Sequence, residues 1–296
     1  MKKRDYLIAG FLAILIVLPL ASAGIFDFMT GKATSGTTDV NIPVGNTGPI
    51  IIYVSPIAAV SPIENNQKTV YFSFHAYDHD GTADLSDASA AAKFTKGGEA
   101  TRSTSSACTK IGDLDAKTAN YTCSIVMWYW DGDGIWDVNA TIIDLSSAVA
   151  VNETTTFSYS TLAAFTMAPE SLTWSTLLPG ATGQESNNEP TNLSNTGNDE
   201  STNIQINATD LLGNSDATKA IIASGFQSKI SAPATGGTSL VNVTFTQVSG
   251  AALPNGNLSA GEAIENLYYA VDVPASVTKQ TYSTTTTGAW TIKAVY

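Results

Sequence analysis

Thr69-Val70-Tyr71-Phe72-Ser73-Phe74-His75-Ala76-Tyr77-Asp78-His79-Asp80-Gly81-Thr82-Ala83-Asp84 is the stretch on which the reading of this chain turns. Its first nine residues are mostly β-branched or aromatic, the composition of a strand. The last seven read D-x-D-G-x-x-D, carboxylates gathered around a glycine turn. The same pattern returns at Asp131-Gly132-Asp133-Gly134-Ile135-Trp136-Asp137, directly after a second strand-like run, Tyr121 to Trp130. Trp136 to Asp144 follows, with Val138, Ala140 and Ile142 alternating against Asp137, Asn139 and Thr141. A period of two marks a strand with one face in the core. Working outward, Ile50 to Val54 and Thr154 to Tyr159 complete a set of short strands separated by turn-rich segments, the pattern of a β-sandwich.

Beyond a seam near Met167-Ala168-Pro169 comes a polar stretch, Pro179 to Ser201. Strand-like runs then resume at Asn203 to Thr209, Leu240 to Val248, Asn266 to Val273 and Ala289 to Tyr296. In Leu240-Val241-Asn242-Val243-Thr244-Phe245, the residues Val241, Val243 and Phe245 share one face. Ala217 to Phe226 reads as a short helix. The chain is therefore expected to be all-β, with two β-sandwich domains, 49–167 and 168–296, the first of them immunoglobulin-like.

These domains follow a leader and a tether. Lys2, Lys3 and Arg4 precede an apolar run from Leu7 to Leu20 and the small-residue site Ala21-Ser22-Ala23, so 1–23 reads as a secretory signal peptide. Left uncleaved, the same segment is just long enough to anchor the chain in a membrane. Residues 24–48, rich in Gly, Ser and Thr, read as a flexible tether. Either way the remainder is expected to be extracellular or at the cell surface.

The 296 residues carry 14 Lys and Arg against 26 Asp and Glu, a net charge of −12, which excludes a nucleic-acid binder and disfavours anionic lipid. The two cysteines, Cys108 and Cys123, flank a polar stretch able to turn a hairpin. In an oxidising compartment they are expected to form a disulfide, closing a loop of about 15 residues worth roughly 3 kcal/mol. That spacing is too short for the inter-sheet bridge of antibody domains.

Two readings of the acidic loops stay open. Asp78, Asp80 and Asp84, and likewise Asp131, Asp133 and Asp137, offer the hard oxygen ligands that calcium takes. The same side chains can instead cap turns by accepting bonds from nearby amides. The second loop is no EF-hand, since its glycine stands fourth rather than sixth and no Glu stands twelfth. Ala76-x-Asp78-x-Asp80-Gly81 resembles the B–C corner of cadherin-like and PKD-like immunoglobulin-fold domains. Gly134-x-Trp136-x-Val138 resembles their strand F, with Trp136 where PKD-like domains usually have Tyr. The resemblance covers about 49–167 and implies a secreted or cell-surface protein, with the two loops at opposite ends of one sandwich. The acidic interdomain linker of cadherins is missing at 165–170.

With only His75 and His79, and both cysteines committed to a bridge, the chain has little material for a catalytic triad or a zinc site. An enzyme is not expected. Trp128 and Trp130 share a strand face, where they either cover the sheet or form a platform for sugar rings. Sequons stand at Asn120, Asn139, Asn152, Asn192, Asn207, Asn242 and Asn257, and are compatible with glycan attachment. The leading expectation is a non-enzymatic structural or adhesion protein of the cell envelope, able to self-associate by strand addition or to bind surface glycans or proteins. The alternatives are a carbohydrate-binding module and a secreted hydrolase.

Overall fold

A computed structural model describes residues 38–255 and 263–296. The signal segment, most of the tether and the sequon at Asn257 lie outside the described residues. The first half holds β1 (Ile50–Val54), β2 (Gln67–Tyr77), β3 (Ala91–Thr95), β4 (Arg102–Ser103), β5 (Thr109–Asp113), β6 (Thr118–Trp128), β7 (Gly134–Ile143) and β8 (Val149–Tyr159). They form two four-stranded sheets, in the orders β1-β2-β6-β5 and β4-β3-β7-β8.

Alternation builds the core between them. Val70, Phe72, Phe74 and Ala76 of β2 and Tyr121, Cys123, Ile125 and Met127 of β6 meet Phe94 of β3 and Trp136, Val138 and Ile142 of β7, all buried. Phe94 packs its ring against Phe72 of the facing sheet and Phe157 of β8, with centroids 5.7 and 4.7 Å apart. Trp136 is fully buried, and its indole N–H reaches the Gly132 carbonyl at 2.9 Å. That bond lets a polar ring nitrogen enter an apolar core.

Cys108 and Cys123 are joined, as expected. The bridge extends the β5–β6 hairpin by one position, since Thr109 pairs with Thr122. Replacing both cysteines with alanine should lower the unfolding free energy by about 3 kcal/mol, because the unfolded chain regains the entropy of the open loop. An unchanged urea midpoint would contradict this.

The second half holds β9 (Phe165–Ala168), β10 (Gln184–Glu185), β11 (Thr191–Asn195), β12 (Asn203–Asn207), β13 (Leu211–Gly213), β14 (Ala220–Ile221), β15 (Phe226–Lys229), β16 (Thr238–Ser239), β17 (Thr246–Gln247), β18 (Ile264–Val271), β19 (Tyr282–Ser283) and β20 (Thr291–Val295). The largest sheet runs β16-β15-β18-β11-β9, with β10 also on β18. Smaller sheets run β17-β12-β20 and β14-β13-β19. A second core gathers Leu193, Ile204, Ile206, Phe226, Leu267 and Tyr269, with Trp174 and Trp290 packed edge-on against Phe226. The β9 strand pairs with β11, so the change of sheet falls at residues 160–164, slightly before the seam read at 167/168.

Two local expectations are corrected. Ala217 to Phe226 is not one helix, and only Ala223–Gly225 makes a 3-10 turn. Asp216 accepts the Thr218 amide and hydroxyl, closing a turn, and Ala220–Ile221 then finds strand partners in Leu211 and Leu212. Tertiary pairing overrides weak helix propensity here. The Leu240 to Val248 alternation is not one strand either. Leu240 and Val248 are buried, whereas Val241, Val243 and Phe245 are exposed. The break is at Val243, whose φ of 50° turns the chain while its amide bonds to Ala208.

The polar stretch before Ser201 joins the two cores. Residues Asn46–Tyr296 form one compact unit. The Thr196 carbonyl accepts the Asn65 amide at 3.0 Å, and the Thr196 hydroxyl donates to Glu64 at 2.9 Å. The buried Asn198 donates to the carbonyls of Asp131 and Ser160, both at 3.0 Å, and accepts the Leu162 amide at 2.6 Å. Gly197 lies so close that a Cβ there would stand 1.9 Å from the Leu162 carbonyl oxygen.

Candidate cation site at an acidic corner

The first acidic loop is a tight corner at the end of β2. The Asp78 amide bonds across to the Lys117 carbonyl at 2.8 Å, and the Thr82 amide to the Ala116 carbonyl at 3.1 Å. Gly81, at φ 109°, lets the chain reverse into a 3-10 turn, Thr82–Asp84, a conformation side chains resist. The turn folds Asp84 back toward Asp78 and Asp80, so that one carboxylate oxygen from each lies within 4.8 Å of the others. Leu85 is buried beneath the corner and bridges to Asp144, just past β7. The Asp84 carbonyl accepts the Leu145 amide at 2.7 Å. A fourth carboxylate therefore borders the cluster.

The electrostatics of this corner are unbalanced. Asp78 is fully buried; its Oδ1 accepts the Asp80 amide at 2.8 Å, but its Oδ2 has no partner. Asp84 Oδ2 is likewise sealed and unpaired. Burial, then the charges of Asp78, Asp144 and Asp80, raise the Asp84 pKa. Asp144 is shifted the other way, first by the Asn46 side chain and then by the amides of Ala148, Ser146 and Ser147, against an opposing effect of burial. Among the described residues the ion pairs of Lys and Arg all lie elsewhere. Buried carboxylate oxygens without partners are costly, and a hard divalent cation taking oxygen ligands would satisfy them.

The second acidic loop is built differently. Asp131 is also fully buried, but Arg102 grips it through Nε at 2.9 and 3.1 Å and through Nη2, and the Trp128 amide adds a bond at 2.7 Å. Asp133 is exposed and accepts the Thr161 hydroxyl at 2.7 Å. Asp137 points outward from β7, opposite Thr95 and Thr156. The structure thus brings Asp78, Asp80 and Asp84 together but not Asp131, Asp133 and Asp137. The difference lies after the glycine. The first copy coils into a 3-10 turn, whereas in the second Gly134 enters β7 at once and carries Asp137 up the strand. The two corners lie at opposite ends of the sheet, because β2 and β6 are antiparallel from Gln67↔Trp128 to Tyr77↔Thr118.

Trp128 and Trp130 share a side and stack on each other at 4.5 Å, while the buried Tyr129 meets Trp130 edge-on. Each indole therefore spends one ring face internally. Asn139 is buried and donates its amide to Glu153, which withholds that nitrogen from a glycan in the folded chain. Asn242 is exposed, and Asn120, Asn152, Asn192 and Asn207 are half-buried. His75 packs on Tyr53 with centroids 4.7 Å apart, and His79 lies 3.3 Å from Lys117 Nζ. The contributions of Asp144 and Asn46 were not readable in sequence, since both reach the corner from distant segments. No protein-family model and no curated protein sequence matches the chain.

Proposed function

We propose that this is a non-enzymatic structural or adhesion protein of the cell envelope, extracellular or surface-held. In this reading it associates with second copies of itself and carries calcium at the Asp78–Asp80–Asp84 corner. The observation that carries the self-association is an apolar strip along one flank of the first sandwich. Ile50 and Ile52 of β1 are 54 and 52 % exposed, and Val149 and Val151 of β8 are 60 and 52 % exposed. The two strands are edges of their sheets and lie against each other, with Asn152 donating to the Ile51 carbonyl at 3.1 Å. Exposed apolar residues clustered on sheet edges favour pairing with another chain. Ile50–Val54 already pairs with its own β2, so strand addition falls to the outer edge of this flank.

The strand orders support an immunoglobulin-like first sandwich. With β4 taken as an extra edge strand, they match the A-B-E-D and C-F-G sheets of that fold. The buried disulfide supports an oxidising compartment. Sedimentation velocity on the full chain tests the reading. Self-association is expected, weakened about tenfold or more by Ile52→Lys with Val151→Lys, charges of the kind that protect natural edges. A monomer at all concentrations, or association indifferent to the two lysines, would contradict it. A second reading, carbohydrate binding, rests on the indole faces of Trp128 and Trp130 left outside their mutual stack, and is tested by loss of glycan-array signal when both become alanine.

A further inference from the structure

The acidic corner also holds the point where the N-terminal lead joins the sandwich. The Thr47 amide donates to Asp80 Oδ2 at 2.7 Å, and the Asn46 side chain donates to Asp144 Oδ2 at 2.8 Å. Asp144 Oδ1 meanwhile accepts the Ala148 amide at 2.7 Å. A Cβ on Gly48 would stand 3.0 Å from that of Ala148, and Pro49 is buried. The root of the lead, residues 46–49, is thus fastened through two carboxylates that belong to or border the cluster.

We propose that a divalent cation at this corner latches the root of the lead to the sandwich, so that ion occupancy sets how firmly residues 46–49 are held. The inference rests on the cation reading given above. Its first support is the fully buried Asp78, whose Oδ2 has no partner and whose carboxylate clusters with those of Asp80 and Asp84, with no Lys or Arg ion pair at the corner among the described residues. Its second is the division of labour at Asp80. This side chain is exposed, and its bond to Thr47 lies in solvent, where such a bond alone contributes little. Asp80 stands in a cluster of like charges with Asp78 and Asp84, and that repulsion weakens its hold on Thr47 when no cation offsets it. A bound cation would offset that repulsion and add a ligand bond to Asp80, holding its carboxylate beside the Thr47 amide. Asp144, drawn toward the same charge, is held for Asn46.

Hydrogen exchange on the full chain, in calcium and in chelator, tests the latch, with calorimetry on the same samples reporting binding. Calcium should slow exchange at Thr47 and Gly48 about tenfold or more, the signature of a local opening suppressed. Asn46→Ala should bind calcium but lose most of that protection. If calcium binds and exchange at Thr47 is unchanged, or if Asn46→Ala is protected like the parent, the latch is overturned. If no heat of binding appears, the cation reading itself fails.

Discussion

Replacing Arg102 with methionine is expected to cost about 3–5 kcal/mol of stability, the scale for stripping one partner from a buried ion pair. Asp131 is fully buried and takes three of its bonds from the Arg102 guanidinium. Methionine fills much of the same volume but leaves that carboxylate facing protein alone, with only the Trp128 amide to answer it. The damage spreads along the backbone, because the Trp128 carbonyl also receives the Tyr159 hydroxyl at 3.0 Å and the Asp131 carbonyl receives Asn198. Burial, and then the Asp131 charge, hold the Tyr159 hydroxyl well above its usual pKa, so it stays a donor. Adding Asp131→Leu should recover most of the loss, since replacing both members of a buried pair is often close to neutral. Urea unfolding measures both. A single-variant cost below about 1 kcal/mol would place this pair among surface ion pairs.

Replacing Asn198 with alanine is the second large effect, expected at about 3 kcal/mol or more. The side chain satisfies three backbone groups, the buried carbonyl of Asp131 and the half-buried Ser160 carbonyl and Leu162 amide. Each group left unpaired costs about 1–3 kcal/mol. These contacts tie the first core to the strands that build the second, so the loss should also appear as uncoupling. Calorimetry of the parent should give one cooperative transition, and Asn198→Ala two. Gly197→Ala should act in the same direction by driving a methyl into the Leu162 carbonyl. One unshifted transition in both variants would show that the cores are not coupled through this segment.

The first sandwich was largely legible because its strands alternate. In β2 and, apart from the buried Asn139 at a register shift, in β7 the buried side chains fall at every second position, as at Val70, Phe72 and Phe74 and again at Trp136, Val138 and Ala140. The second half was less legible because its strands are short and their partners distant. Leu240 to Val248 alternates in sequence, yet its faces are decided by a turn at Val243, whose amide is held by the distant Ala208 carbonyl. Thr191, Asn195, Thr196 and Asn198 look like loop residues and are buried. Thr196 and Asn198 are held by backbone groups of the first half, at Asn65, Asp131 and Ser160, whereas Thr191 and Asn195 are held within the second, by Leu267, Asp199 and Pro254.

The acidic repeats were legible as letters but not as sites. Identical spacing cannot tell a glycine that opens a 3-10 turn from one that opens a strand. Nor does spacing reveal that Arg102 answers Asp131 while Asp78 is left with an open oxygen. Both facts come from segments brought in by sheet pairing.

Thermal unfolding of the parent, Asp78→Asn and Asp133→Asn with Asp137→Asn, each in calcium and in chelator, tests the central claim most directly. Calcium at about a hundredfold over its Kd should stabilise the parent by about 2.7 kcal/mol. The gain should persist in the Asp133 and Asp137 variant and vanish in Asp78→Asn. A parent melting identically in calcium and chelator, or a response lost with Asp133 and Asp137 instead, would contradict the account.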